Sequence, residues 1–177
     1  MAKKFPLLLL DANVVIELFR LGLWDKVLEF CDVHLSRTIV QREAHFFKDS
    51  EGSRHDFDLS EYEASGQVTV FDVELSEVRR FALSFDPTYF ERFDPGETEA
   101  MTHLLTSPAA YLICSADSIV FKVLGNLNRA EQGISLEEVL NYVGLGRRLT
   151  WRFTRAFRDK WTKMGFVDYL GGMGKQI

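Results

Sequence analysis

The sequence predicts an α/β fold with a central, mostly parallel sheet, and three observations carry that expectation. Short continuous apolar runs, LLLL at residues 7–10 and YLIC at residues 111–114, have the composition of strands buried on both faces of a sheet. Segments with helical spacing of apolar residues separate these runs, so strands and helices alternate along the chain. Both runs are followed at once by small or polar residues and an aspartate, Asp11 in the first case and Asp117 in the second.

Taken in order, residues 7–10 form the first strand, and residues 13–31 are helical with a break near Gly22. A second strand is expected at residues 33–35, then a helix over residues 38–48 with Thr38 near its cap. The stretch 49–65 is polar and charged and begins as a loop. Residues 68–71 (VTVF) carry β-branched side chains and read as a third strand. Residues 75–85 are helical until Asp86-Pro87 breaks them, and Asp94-Pro95-Gly96 opens a helix to about Thr106. Pro108 closes that helix, and residues 111–114 make the fourth strand. A helix over residues 117–128, a short fifth strand at Gly133-Ile134, and helices over 136–143 and 150–164 complete the pattern. The one candidate boundary is Gly144-Leu145-Gly146, dividing a domain of residues 1–143 from a basic helical extension, 144–177, packed on it.

A chain of 177 residues is long enough for a proper core, and 46% apolar with 27% charged residues is ordinary for a globular protein. The net charge of −5 is unevenly spread: residues 147–163 hold seven Lys or Arg and one Asp, leaving an acidic remainder. Cys31 and Cys114 stand in apolar surroundings without CxxC or Cys/His spacing, so two buried thiols and no zinc site are expected. Asp11 interrupts the N-terminal leucines before they reach the ~7 residues of a signal-peptide core. Nothing approaches the ~18 apolar residues of a membrane span, so a cytoplasmic location and no membrane partner are expected.

Four carboxylates occupy unusual positions. Asp11 and Asp117 fall at carboxyl ends of strands, where open α/β sheets bind ligands, although each also suits a helix N-cap. Glu43, on a helix, has Ile39, Val40, Phe46 and Phe47 as neighbours and so lies on a buried stripe. A glutamate there needs a partner, either an arginine or a metal ion. Glu97 shares a face with Ala100, Met101 and Leu104, whereas Glu99 points the other way. Glu97 is also the third helical residue after Asp94, the spacing of a capping box, and spacing leaves both roles open. If the four meet, like charges at 5 Å repel by about 3 kcal/mol per pair at an effective dielectric of 20, so protons or cations must accompany them. Oxygen-only ligands select a hard ion, Mg²⁺ or Mn²⁺.

The stretches LLLLDANVVI, TIVQREAHFF, DPGETEAMTHLL and LICSADSIV, with the close GISLEEVL, resemble the PIN domain, a fold of many metal-dependent ribonucleases. The likeness runs from about Leu7 to Val143 and rests on the order and spacing of four individually weak motifs. It implies an α/β/α sandwich with a four- to five-stranded sheet. It also implies that Asp11, Glu43, Glu97 and Asp117 are catalytic, with Asp11, Glu97 and Asp117 binding Mg²⁺ or Mn²⁺. Asn13 and Ser115 match supporting polar positions. Ser118-Ile119-Val120 departs from relatives that place a further acid after the last aspartate, and residues 49–65 are longer and more acidic than a compact member needs.

The activity implied is hydrolysis of RNA phosphodiester bonds by an endoribonuclease, with an inactive PIN-like module that binds RNA or protein as the alternative. Relatives include toxins held by an antitoxin protein, often as dimers, so an antitoxin and a second copy join RNA as implied partners. A haloacid-dehalogenase or response-regulator reading also begins with strand and aspartate, but Asn13 stands where the former needs a second Asp. In the basic tail, Phe153, Phe157, Trp161 and Met164 form one helical stripe expected to dock on the domain. Arg148, Arg152, Arg155 and Lys163 lie mostly off it and are candidate RNA contacts.

Overall fold

The computed structural model describes residues 4–175. Five strands, β1 (Phe5–Leu10), β2 (Cys31–Ser36), β5 (Thr69–Phe71), β6 (Leu112–Cys114) and β7 (Gly133–Ile134), form one sheet in the order β5-β2-β1-β6-β7, parallel throughout. A separate antiparallel pair joins β3 (Phe46–Lys48) to β4 (Arg54–Asp56). The helices are α1 (Ala12–Arg20), α2 (Trp24–Phe30), α3 (Leu59–Ala64), α4 (Leu75–Leu83) and α5 (Pro87–Phe90). Then follow α6 (Pro95–Thr106), α7 (Ser118–Asn126), α8 (Leu136–Tyr142) and α9 (Arg155–Leu170).

Alternation along the strands creates two apolar layers. Leu8 and Leu10 of β1 face a cluster with Val14, Val15 and Leu18 of α1, Val27 of α2, and Val139 and Leu140 of α8. Leu9 faces the opposite cluster, with Phe81 of α4, Met101 of α6, Val120 and Phe121 of α7, and Phe157 of α9. Helices therefore cover both faces of the sheet, which is why its central strands read as unbroken apolar runs. Cys31 and Cys114 are free and fully buried, as expected. Among the described residues no helix is long and apolar enough to cross a membrane.

Two expectations need correction and a third needs completing. The helix over residues 38–48 is only a π-helical turn, Ile39–Glu43, after which Ala44 turns the chain (φ −111°, ψ 88°) into β3. Phe46 and Phe47 are thus strand residues, stacked respectively beneath Arg54 and beside His55, and Phe46 is exposed. The stretch 49–65 does begin as a loop, with Asp49 accepting the amides of Glu51 and Ser53 and Gly52 at φ +84°, but that loop closes the β3–β4 hairpin and the stretch continues into β4 and α3. The helix expected from residue 150 begins only at Arg155. Residues Trp151–Phe153 make a 3₁₀ turn, and Thr154 caps α9 by accepting the Phe157 amide. A smaller difference is at Asp86-Pro87, which ends one helix and caps the next, α5.

The tail helix runs past Met164, which is exposed, and buries Gly165 instead. Gly165 rests on Lys122 of α7, and Gly125 rests on Thr162 of α9, so the two backbones touch where they cross. A Cβ at Gly165 would lie 1.8 Å from the Lys122 carbonyl oxygen, and one at Gly125 would lie 2.0 Å from that of Thr162. Neither carbonyl can move aside without its helix. Gly165→Ala should therefore lower stability by about 1–3 kcal/mol, read as a lower thermal midpoint. An unchanged midpoint would mean that α9 is not seated on α7 in this way. Lys122 adds a 2.9 Å ion pair to Asp168, which also accepts the Tyr89 hydroxyl.

Candidate active site

The strand order reverses between β1 and β6: α1 leaves β1 towards one face, and α7 leaves β6 towards the other. Diverging helices open a crevice at the carboxyl ends of these two strands, the usual ligand position in an open parallel sheet. Asp11 immediately follows β1, and Ser115 and Asp117 follow β6. β1 and β6 pair in register to their last residues, Leu10 opposite Cys114, which sets the two turns side by side.

Asp11 is 1% exposed and held on three sides. Its Oδ1 accepts the Val14 amide at 2.7 Å, capping α1; its Oδ2 accepts the Ser115 hydroxyl at 2.5 Å and the Ala116 amide at 2.9 Å. The Ser115 hydroxyl oxygen in turn accepts the Asp117 amide at 2.9 Å. The fully buried Ser115 therefore ties the first aspartate to the turn carrying the second. Asp117 is half-buried and caps α7 through the Ile119 amide. Asn13 is half-buried in the first turn of α1, with no side-chain hydrogen bond among the described residues.

Glu97 and Glu43 reach the same region from α6 and from the π-helical turn. The capping box is real: Asp94 accepts the Glu97 amide at 2.8 Å, and Glu97 Oε2 accepts the Asp94 amide at a long 3.4 Å. It leaves Glu97 Oε1 buried without a partner. Cap and candidate ligand, treated as alternatives in the sequence, thus use different oxygens of one side chain. Glu43 Oε1 accepts the Gly96 amide at 3.0 Å, and its Oε2 is likewise buried and unpartnered. A Cβ at Gly96 would fall 2.2 Å from Glu43 Oε2 and 2.7 Å from Ile39 Cγ1, so a larger residue there would push the Glu43 carboxylate from its place.

These carboxylates feel one another. Burial, then the charges of Asp11, Asp94 and Asp117, push the Glu97 carboxyl up to about 9. Burial raises Glu43, with Asp94, Glu99 and Asp11 adding to the effect against the Gly96 hydrogen bond. Burial also raises Asp11, opposed by its three donors and assisted by Asp94. Among the described residues no Lys, Arg or His pairs with any of these acids.

Asp94 was not among the expected site residues. It is exposed at the rim, yet its inner side is enclosed enough that burial and then Asp117 raise its carboxyl. Its sequence signal, an N-cap before Pro-Gly-Glu, reads as purely local. Glu99 does point away from Glu97, but it accepts the Thr38 hydroxyl at 2.7 Å and so fastens α6 to the turn bearing Glu43.

The donors are all oxygen, which suits a hard divalent cation, and two buried carboxylate oxygens have no partner among the described residues. Among the described residues, the acids do not already stand as a closed group of three ligands. Compared with family models, with curated proteins and with solved structures, the chain matches none.

The basic residues lie apart from the acids in sequence but not all in place. Arg155 and Arg158 engage the first turn of α8, which starts at the carboxyl end of β7, the same sheet edge as the acidic crevice. There Arg158 makes two hydrogen bonds to Glu138, at 2.8 and 2.9 Å, and the Arg155 amide donates to Glu137. The Arg155 side chain lies 3.5 Å from Asp159, so it is partly neutralised. Arg148, Arg152 and Lys163 are exposed, and Arg152 lies over the Phe153 ring.

Proposed function

We propose that the chain is a metal-dependent endoribonuclease of PIN-domain type, hydrolysing RNA phosphodiester bonds at the crevice between β1 and β6. The observation that carries the reading is the gathering of Asp11, Glu43, Glu97 and Asp117 at the switch point of a parallel sheet, without a basic partner among the described residues. Such an assembly is unfavourable unless something positive joins it. Asp11, Glu97 and Asp117 would hold a Mg²⁺ or Mn²⁺ ion, with the unpartnered oxygen of Glu43 turned towards a second cation or towards the attacking water. When bound, the ion acidifies a water for attack and neutralises charge at the reacting phosphate.

The chain's own residues do the positioning. Ser115 and the Ala116 amide fix the Asp11 carboxylate, and the Gly96 amide fixes that of Glu43. Exposed Arg148 and Arg152 supply positive charge for an RNA backbone, whereas Lys163 lies beside Gly125 and Asn128 at the end of α7, away from the crevice. An antitoxin or a second copy of the chain as partner rests on the family likeness alone.

The test is a cation titration with two readouts. Mg²⁺ or Mn²⁺ should raise the melting temperature of metal-free protein and switch on cleavage of single-stranded RNA, and a chelator should reverse both. Stabilisation without cleavage would favour the inactive binding module; the absence of both effects would remove the metal-site reading itself.

A further inference from the structure

A second hollow opens on the other side of the molecule. It has a volume of about 410 Å³ and lies between α4, the last turns of α6 and the end of α7. Those parts of α6 and α7 lie at the amino-terminal edge of the sheet, opposite the acidic crevice. Its floor is apolar: Phe81 and Phe85 are buried and their rings pack edge to face at 5.4 Å, with half-buried Leu105 and Leu127 opposite.

Three cations, Arg80, Arg129 and Lys175, stand around this floor. Among the described residues none of them is in an ion pair. Lys175 is held in place by its backbone, whose amide donates to Asn126 Oδ1 at 3.1 Å. Among the described residues that line it, a single acid, Glu77, stands against them. The wall also carries three hydroxyls, but their protons are engaged elsewhere. Ser84 donates to the Phe81 carbonyl at 2.7 Å, Thr102 to that of Thr98 at 2.7 Å, and Thr106 to that of Thr102 at 2.9 Å. Among the described lining residues, the side-chain donors left for a ligand are the cationic ones. An occupant must therefore bring acceptors and negative charge at one end, and apolar surface at the other.

We infer that this hollow binds a small amphipathic anion, its apolar body on Phe81, Phe85, Leu105 and Leu127 and its anionic head between Arg80, Arg129 and Lys175. The volume falls within the ordinary range for small-molecule sites. The inference is independent of the nuclease reading, since no residue is shared between the two sites.

Octanoate and octanol, equal in chain length and different in charge, are the probes. Octanoate should give saturable amide shifts in ¹H–¹⁵N spectra, centred on residues of α4, the end of α6 and Leu127. Octanol should bind at least about tenfold more weakly. A protein carrying both Arg80→Gln and Arg129→Gln, with its melting temperature checked, should lose most of that preference, keeping only what Lys175 alone supplies. Equal binding of octanoate and octanol by the unsubstituted chain would overturn the inference. So would shifts centred on the exposed apolar end of α9, or no saturable octanoate binding in the low millimolar range.

Discussion

Replacing Asp11 by Asn should reduce the proposed metal-dependent RNA cleavage at least about 100-fold while leaving a folded protein. The two halves of that expectation have different origins. The loss follows from removing the negative charge best placed between the ends of β1 and β6. Retention of the fold follows from the hydrogen bonds that Asp11 makes. Its Oδ1 caps α1, and its Oδ2 receives the Ser115 hydroxyl and the Ala116 amide. An asparagine can present its oxygen to only one of these sets, so the other loses its acceptor, at about 1–3 kcal/mol. Asp11 also helps to hold the Glu97 and Glu43 carboxyls up, and removing its charge relaxes that cost, which partly offsets the loss. The far-ultraviolet circular dichroism should remain native, and the melting temperature should shift by a few degrees. Undiminished cleavage by purified Asp11→Asn protein would remove Asp11 from the catalytic assignment. Ser115→Ala is the companion measurement: it keeps every carboxylate but frees one side of Asp11, and should weaken cation affinity by about tenfold or more.

The strands that position this site were legible because of their burial. A strand covered on both faces cannot alternate, so LLLL and YLIC stood out, and a charged residue directly after such a run could only lie at the strand's end. The segment after Thr38 misled for a physical reason. Ile39, Val40, Phe46 and Phe47 have helical spacing around Glu43, but the two phenylalanines belong to a hairpin that spacing alone does not reveal. The turn residues Asp49, Ser53 and Gly52 were the signal for it, and they lay in the stretch expected to begin as a loop. Glu43 still points inward, held by the Gly96 amide across the crevice, a contact between residues 53 positions apart that no local pattern encodes. Asp94 was hidden by its own good local explanation. In the tail, aromatic spacing placed Phe157 and Trp161 against the domain, but it also put Met164 there, which is exposed; the close helix crossing depended instead on Gly125 and Gly165, which carry no side chain for a periodicity to register.

Glu97 gives the clearest pH dependence. Its carboxyl is raised from 4.5 to about 9 by burial and then by Asp11, Asp94 and Asp117. Below pH 4.5 both folded and unfolded chains hold this proton, and Glu97 contributes nothing to the slope. Between pH 4.5 and about 9 the unfolded chain has released it and the folded chain has not, so stability falls as pH rises, by at most about 1.4 kcal/mol per unit. By pH 7 the accumulated penalty is of the order of 3 kcal/mol, and above pH 9 it stops growing. Glu97→Gln removes the proton but keeps the shape: its oxygen can still accept the Asp94 amide, and its NH₂ can donate to the neighbouring carboxylates. Without divalent cations, the variant should therefore be the more stable protein at pH 8 and close to the unsubstituted chain at pH 5, as read from denaturant midpoints. Parallel pH profiles would show that Glu97 is already ionised and comfortable, and that the acids do not press on one another. Added Mg²⁺ should narrow the difference at pH 8, because a cation then does for the unsubstituted protein what the neutral amide does for the variant.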